Sequence, residues 1–236
     1  MKTTIHQPDF MPWYGFFNKL SKVDVWVVLD HVENNPRNSS FWGKRVQVLI
    51  NGQPYWLSIP LEKPKEKGRI GIPIKDMAIN INEEKLISKT RRTLEESYKK
   101  TPNFNDYRFL IDDYFDNQDK SLINRNMSFI KQALQILGIK LEIVYSSSLN
   151  LESSSTTLLV DILKKLPSEH YLSGAGAEGY QDDELFKKNN ILVEKNNFIQ
   201  PEYRQYKANK FFPGLSILDM LFCMPIDDIK SSLNLE

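Results

Sequence analysis

Residues 3–45 read TTIHQPDFMPWYGFFNKLSKVDVWVVLDHVENNPRNSSFWGKR. Thr3 to His6 is a short strand that runs from apolar to polar and stops at Gln7-Pro8. An aromatic helix follows, with Trp13, Phe16, Phe17 and Leu20 at helical spacing and so on one face. Asp24 to Leu29 is a second strand, an apolar run of the kind that parallel strands covered on both faces require. It delivers Asp30 and His31 into a loop. Strand, helix and strand in this order predict a βαβ start and an α/β fold. Two strands ending side by side in polar residues are how open α/β sheets build a ligand crevice. Two of the three histidines and three of the four tryptophans fall between residues 6 and 42.

Outside this stretch the chain alternates again. Asn51-Gly52 between Arg45–Ile50 and Pro54–Pro60 predicts a β-hairpin. A basic segment with Pro and Gly, Glu62 to Gly71, predicts a mobile surface loop. Asn82 to Leu137 turns helical in three pieces, broken at Pro102 and closed by Gly138, and reads as a helical subdomain at about 82–138. Leu141 to Tyr145 returns to strand. A helix at Leu158–Leu166 follows, with Ser154 or Ser155 as its cap. His170–Ser173 and Ile191–Glu194 are further strands around a helix at Asp182–Lys188, and Ser216–Cys223 is an apolar helix ended by Pro225. The expectation is one α/β domain over 1–236, mainly a parallel sheet with flanking helices, a hairpin and a helical insertion.

Composition narrows the class. The 236 residues are 41% hydrophobic and 26% charged, the balance of a globular protein. A net charge of +1 gives no field for nucleic acid, and no apolar run approaches the roughly 20 residues of a membrane span. Without a signal-like apolar core in MKTTIHQPDF, the expectation is cytoplasmic. The single Cys223 excludes an internal disulfide and a multi-cysteine metal site. No metal site is expected. With three histidines the remaining donors are carboxylates such as Asp30, which suit Mg²⁺ better than Zn²⁺.

Several groups carry chemistry. His6, at a strand end, suits a general base, against the plainer role of bonding a neighbouring loop. Asp30 and His31 end the second strand, where Asp30 can orient an imidazole, hold a sugar hydroxyl, or fold its own loop. Arg37, Lys44 and Arg45 surround Trp42. The cations suit a phosphate or carboxylate, and the indole suits a base or sugar ring or else plugs the core. Gly174 to Gly179 is a literal G-x-G-x-x-G with Glu194 about 20 residues on. The Tyr180-Gln181-Asp182-Asp183 that follows is a poor helix start for a dinucleotide site, so a glycine-rich turn offering backbone amides is the better reading. Ser216-x-x-Asp219 reads as a capping box, and Cys223 as a core residue. HExxH, P-loop and G-x-S-x-G signatures are absent from the sequence.

The chain resembles the WbqC-like family of bacterial surface-polysaccharide gene clusters. The resemblance rests on I-H-Q-P-D-F-M-P-W-Y-G-F-F-N-K-L at 5–20, V-D-V-x-V-x-L-D at 23–30, Y-L-S-G-x-G-x-x-x-Y at 171–180 and L-S-I-L-D-M-L-F at 215–222. It departs from the family pattern after the aspartate, where His31-Val32-Glu33-Asn34 and Gly43-Lys44-Arg45 stand in place of a V-Q-F type turn and an N-R pair. The resemblance implies a place beside enzymes that make nucleotide-linked amino sugars for O-antigen and lipopolysaccharide. It implies an N-acyl or aminoacyl transferase acting on such a sugar.

On that reading His6 deprotonates the sugar amine and Asp30 orients it, with His31 alongside. Arg37, Arg45 and Lys44 hold the diphosphate, and Trp42 stacks. Gly174 and Gly176 offer amides to the acyl oxyanion, while Gln7, Trp13, Ser173 and Tyr180 complete the substrate contacts. An acyl-CoA, an acyl-carrier-protein donor or ATP all stay open, as does self-association into a homo-oligomer. Two other readings stand beside it: ATP-dependent activation of an acid, and a sugar-nucleotide-binding protein without catalysis.

Overall fold

The computed structural model describes residues 1–174 and 181–234. In chain order the strands are β1 (Lys2–His6), β2 (Val25–Val28), β3 (Glu33–Asn34), β4 (Arg45–Ile50), β5 (Gln53–Ser58), β6 (Ile72–Pro73), β7 (Glu142–Tyr145), β8 (His170–Ser173) and β9 (Leu192–Lys195). The helices are α1 (Tyr14–Leu20), α2 (Glu84–Tyr98), α3 (Phe104–Tyr107), α4 (Phe109–Asp116), α5 (Leu122–Leu137), α6 (Ser155–Lys165), α7 (Asp183–Lys188), α8 (Ile217–Cys223) and α9 (Ile226–Ser232).

Five strands form one parallel sheet in the order β7-β2-β1-β8-β9. Numbered along the chain within that sheet, this is 3-2-1-4-5, the doubly wound order in which the winding reverses between β1 and β8. β2 lies between β1 and β7, and all four of its residues are buried. Its side chains alternate between two cores. Trp26 and Val28 join α1, α5 and α8 on one side, while Val25 and Val27 join Ile5, Tyr171 and α6 on the other. A strand buried on both faces has no polar side to show, which is why its sequence reads as a continuous apolar run.

The hairpin forms as expected. β4 and β5 pair antiparallel from Arg45↔Ser58 to Ile50↔Gln53, and Asn51 (φ 51°) and Gly52 (φ 75°) both adopt the left-handed turn conformation that Asn-Gly favours. α2 to α5 form the helical block, and their buried faces share one core with the hairpin and α8. Gly138 closes α5 at φ 75°. β3 pairs with β6 across the segment expected to be a loop. No helix among the described residues is long and apolar enough to cross a membrane.

Some local expectations are corrected. α1 has no exposed side: all seven residues are buried, so the face carrying Phe16, Phe17 and Leu20 is not distinct from a polar one. The stretch expected as one helix after Pro102 divides into α3 and α4 at Arg108. Ser154 takes the cap position of α6 without a side-chain bond. Ser216 does cap α8, accepting from the Leu218 N–H, but Asp219 does not reach back to complete a box. It turns inward to accept from the Tyr203 hydroxyl at 2.6 Å and from Gln205 at 3.2 Å.

Candidate functional site

The loop from Gln7 to Trp13 leaves the carboxyl end of β1, and three of its carbonyls are held by distant parts of the chain. Gln7 O bonds the His6 ring, and Pro8 O accepts from Asn126 on α5. Met11 O accepts from the Ser216 hydroxyl and Pro12 O from the Ile217 N–H. The Phe10 N–H donates to Trp42 O at 3.0 Å, joining this loop to the 31–44 loop. Met11 sits at φ 45°, a conformation that non-glycine residues adopt only when the surroundings enforce it. The loop is fixed by contacts more than a hundred residues away in sequence.

Over it opens a cleft of about 460 Å³, lined among others by His6, Gln7, Asp9, Trp13, Asn38 and Trp42. That size is typical of small-molecule sites. His6 Nδ1 lies 2.9 Å from the Gln7 carbonyl. A carbonyl only accepts, so Nδ1 carries the hydrogen and Nε2 keeps its lone pair. The ring packs edge-on against Phe16 at 5.2 Å. Burial, and then the charge of Lys19, push the imidazole down to about 3, against the Gln7 bond that raises it. Its side chain is still 34% exposed to the cleft, which tempers the size of that shift and leaves its direction: the ring is neutral near pH 7.

Two further ionisable groups stand close by: Asp9 lines the cleft, and Lys19, which does not, acts on His6 and Asp9 through its charge. Asp9 Oδ2 is 3.9 Å from His6 Nδ1, and burial raises its carboxyl to about 7 against the pull of Lys19. Lys19, on α1, is 4% exposed, and burial lowers it to about 8 against the pull of Asp9. Neither stood among the residues expected from the sequence. The available signal was a lone lysine in a helix too aromatic and too short to own a solvated face.

Of the expected residues, His6, Gln7, Trp13 and Trp42 come together at the cleft. Asp30 and His31 do not join them. Asp30 is 2% exposed and accepts from Ser146 Oγ (2.9 Å), Ser147 N (2.8 Å) and Ser147 Oγ (2.6 Å), tying the end of β2 to the end of β7. Ser146 Oγ donates to Asp30, so it accepts both the Asp30 N–H at 3.1 Å and, at 2.6 Å, Nδ1–H of His31. Both lone pairs are then used, which leaves this Asp-Ser-His arrangement without a free nucleophile.

Arg45 donates to the Ser39 carbonyl and lies 3.4 Å over the ring of Trp56. Trp42 meets the same Trp56 edge-on at 5.3 Å. Lys44 donates to the Pro36 carbonyl, and Arg37 is exposed. Ser173 is buried at the end of β8, bonded to the Glu194 carbonyl at 3.3 Å. Glu194 itself pairs with Lys2 at 2.8 Å. Gly174 stands beside Lys19, and Gly176 and Tyr180 lie outside the described residues. Among the described residues no group of three His, Cys, Asp or Glu is gathered for a metal.

Fold and site together define a doubly wound α/β protein with a polar, aromatic-walled crevice at the carboxyl end of its central strand. The chain belongs to the WbqC-like protein family, whose model matches residues 7–231. It is 26% identical over 224 residues to the Mycobacterium tuberculosis H37Rv protein named "Uncharacterized protein Rv1507c", covering 94% of this chain and 93% of that one. No solved structure matches it significantly.

Proposed function

We propose that the protein transfers an acyl group onto the amine of a nucleotide-linked deoxyamino sugar. The observation that carries this reading is the neutral imidazole of His6, fixed by Gln7 with its Nε2 lone pair unprotonated, beside Asp9 in a cleft walled by Trp13 and Trp42. A sugar ammonium is no nucleophile until it loses a proton. His6 Nε2 takes that proton, and the freed amine attacks the carbonyl of an acyl thioester. The N–C bond forms, the C–S bond breaks, the proton on His6 passes to the departing thiolate, and the second proton that the nitrogen sheds as it becomes an amide leaves to solvent. An ionised Asp9 at 3.9 Å stabilises the imidazolium in between, offsetting the burial that disfavours it.

The experiment is mass-spectrometric detection of N-acylated product from acetyl-CoA and dTDP- or UDP-linked amino sugars, with His6→Gln beside the wild type. Loss of about 10²–10⁴-fold in rate with unchanged melting supports the reading. Full activity in a folded His6→Gln protein overturns it.

A second reading has its own observation. The 3-2-1-4-5 strand order suits a nucleotide at the β1–β8 crevice, as ATP-dependent acid activation needs. There a carboxylate oxygen attacks the α-phosphorus and pyrophosphate leaves. Exchange of labelled pyrophosphate into ATP, dependent on a carboxylic acid, separates it from acyl transfer. Binding of a nucleotide sugar with neither activity favours a binding protein.

A further inference from the structure

We propose that Lys19 is the anion-binding centre of the crevice and that it takes the diphosphate of a nucleotide-linked substrate. The inference deepens the reading above, on which it rests for the identity of the substrate.

Lys19 sits on a helix with no exposed residue. A Cβ built on Gly174 would lie 3.7 Å from its Nζ. Gly174 directly follows β8, and β8 pairs with β1. The ammonium therefore stands at the carboxyl ends of β1 and β8, the place where the winding of the sheet reverses and where open α/β sheets take their ligands.

Its charge is matched by no neighbouring side chain among the described residues. Among the described residues no hydrogen bond or ion pair engages Nζ; burial and the more distant charge of Asp9 are what act on it. Asp9 in turn leans toward His6. Burial of a charged side chain is costly, and Met or Leu would fill the same space in α1 without that cost. The position holds a lysine where packing asks for an apolar residue. Gly174 adds the second half of the argument, because it sets no side chain of its own beside the ammonium.

The other cations expected to hold a diphosphate are placed differently. Arg45 is committed to the Ser39 carbonyl and the Trp56 ring, and Lys44 to the Pro36 carbonyl. Arg37 is exposed on its loop.

The test is thermal melting and calorimetric titration of the full chain with pyrophosphate, UDP and dTDP, and with malonate as a carboxylate control. No acyl donor is present, so failure of acyl transfer leaves the result untouched. Expected is stabilisation by pyrophosphate and the nucleoside diphosphates. Lys19→Met should melt no lower than wild type without ligand and bind pyrophosphate at least tenfold more weakly. Gly174→Asp, which sets a carboxylate beside the ammonium and leaves Lys19 in place, should lose binding as well. Asp9→Asn should keep or tighten it. Wild-type binding by both Lys19→Met and Gly174→Asp, silence of the wild type toward every diphosphate, or equal stabilisation by malonate would each overturn the proposal.

Discussion

Asp9 Oδ2 stands 3.9 Å from His6 Nδ1, and the same burial drives the two groups in opposite directions. It favours the neutral form of each, so the imidazole is harder to protonate and the carboxyl harder to ionise. Near pH 7 the pair holds one neutral base and one acid near its midpoint, which is the condition for moving a proton in either direction.

Stability should register this. The Asp9 carboxyl rises from 3.8 to about 7, so its contribution is full below its unfolded pKa and is lost as pH climbs toward 7. His6 falls from 6.5 to about 3, so its contribution is full above 6.5 and is lost as pH drops toward 3. Between pH 4 and 6.5 the two slopes oppose. Asp9→Asn removes one of them. Its melting temperature relative to wild type should climb as pH rises from 4 to 7.5, by the equivalent of about 4 kcal/mol at most for a three-unit shift. At roughly 2–4 °C per kcal/mol for a chain of this size, the change is readable by calorimetry. A constant difference across that range counts against the raised carboxyl. In the transferase assay, kcat/KM should rise with pH through an inflection near 7 that Asp9→Asn removes.

Asp30 should behave as a structural residue. Its replacement by Ala strands three donors at the β2–β7 junction. The expected cost is about 3 kcal/mol, since buried donors without acceptors carry their desolvation penalty. Urea denaturation measures it. Turnover per folded molecule should stay close to wild type, and a collapse of kcat in a stably folded Asp30→Ala protein would return Asp30 to the chemistry.

Gly15 is a test of helix propensity against packing. In an exposed helix Gly→Ala gains about 1 kcal/mol. Here the added Cβ would stand 2.5 Å from ring atoms of both Phe198 and Trp13. Those rings already pack against each other at 5.5 Å, and Trp13 lines the cleft. Gly15→Ala should therefore lower stability by about 1–3 kcal/mol, the usual penalty of overpacking, and weaken ligand binding by displacing Trp13. Thermal melts with and without nucleotide sugar separate the two effects.

These residues show how far the chain could be read. The β2 run, the Asn51-Gly52 turn and the Gly138 stop are written locally, in side-chain period and backbone preference, and the sheet, hairpin and α5 follow from them. Asp30 and His31 looked like site residues because their partner Ser146 lies 116 residues from Asp30. Lys19 did not stand out because the burial of α1 comes from distant segments. One of these is α8, whose cap Ser216 reaches Met11 across 205 residues. Local pattern encodes elements; whether a charged side chain ends in solvent or beneath a crevice is decided by what the fold lays over it.

Asn126 is the clearest case of a distant residue positioning the site. It is fully buried on α5, and its amide donates to Pro8 O at 2.9 Å and Gly43 O at 2.7 Å while its oxygen accepts from Tyr114 at 3.1 Å. Pro8 precedes Asp9 and Gly43 follows Trp42, so one side chain sets the spacing of the cleft's ionisable floor and its aromatic wall. Asn126→Asp keeps the shape and loses the donors, setting a carboxylate against two carbonyl oxygens. Only its protonated form can donate, and to one of the two. The folded pKa of the new acid must then lie above its unfolded value, so the loss of stability deepens as pH rises. Asn126→Ala leaves both carbonyls unpaired at every pH and should cost about 2–4 kcal/mol without that slope. Melting curves from pH 5 to 8 should therefore diverge for Asp and run parallel to wild type for Ala. Parallel curves for both variants would mean that Asn126 does not hold these carbonyls.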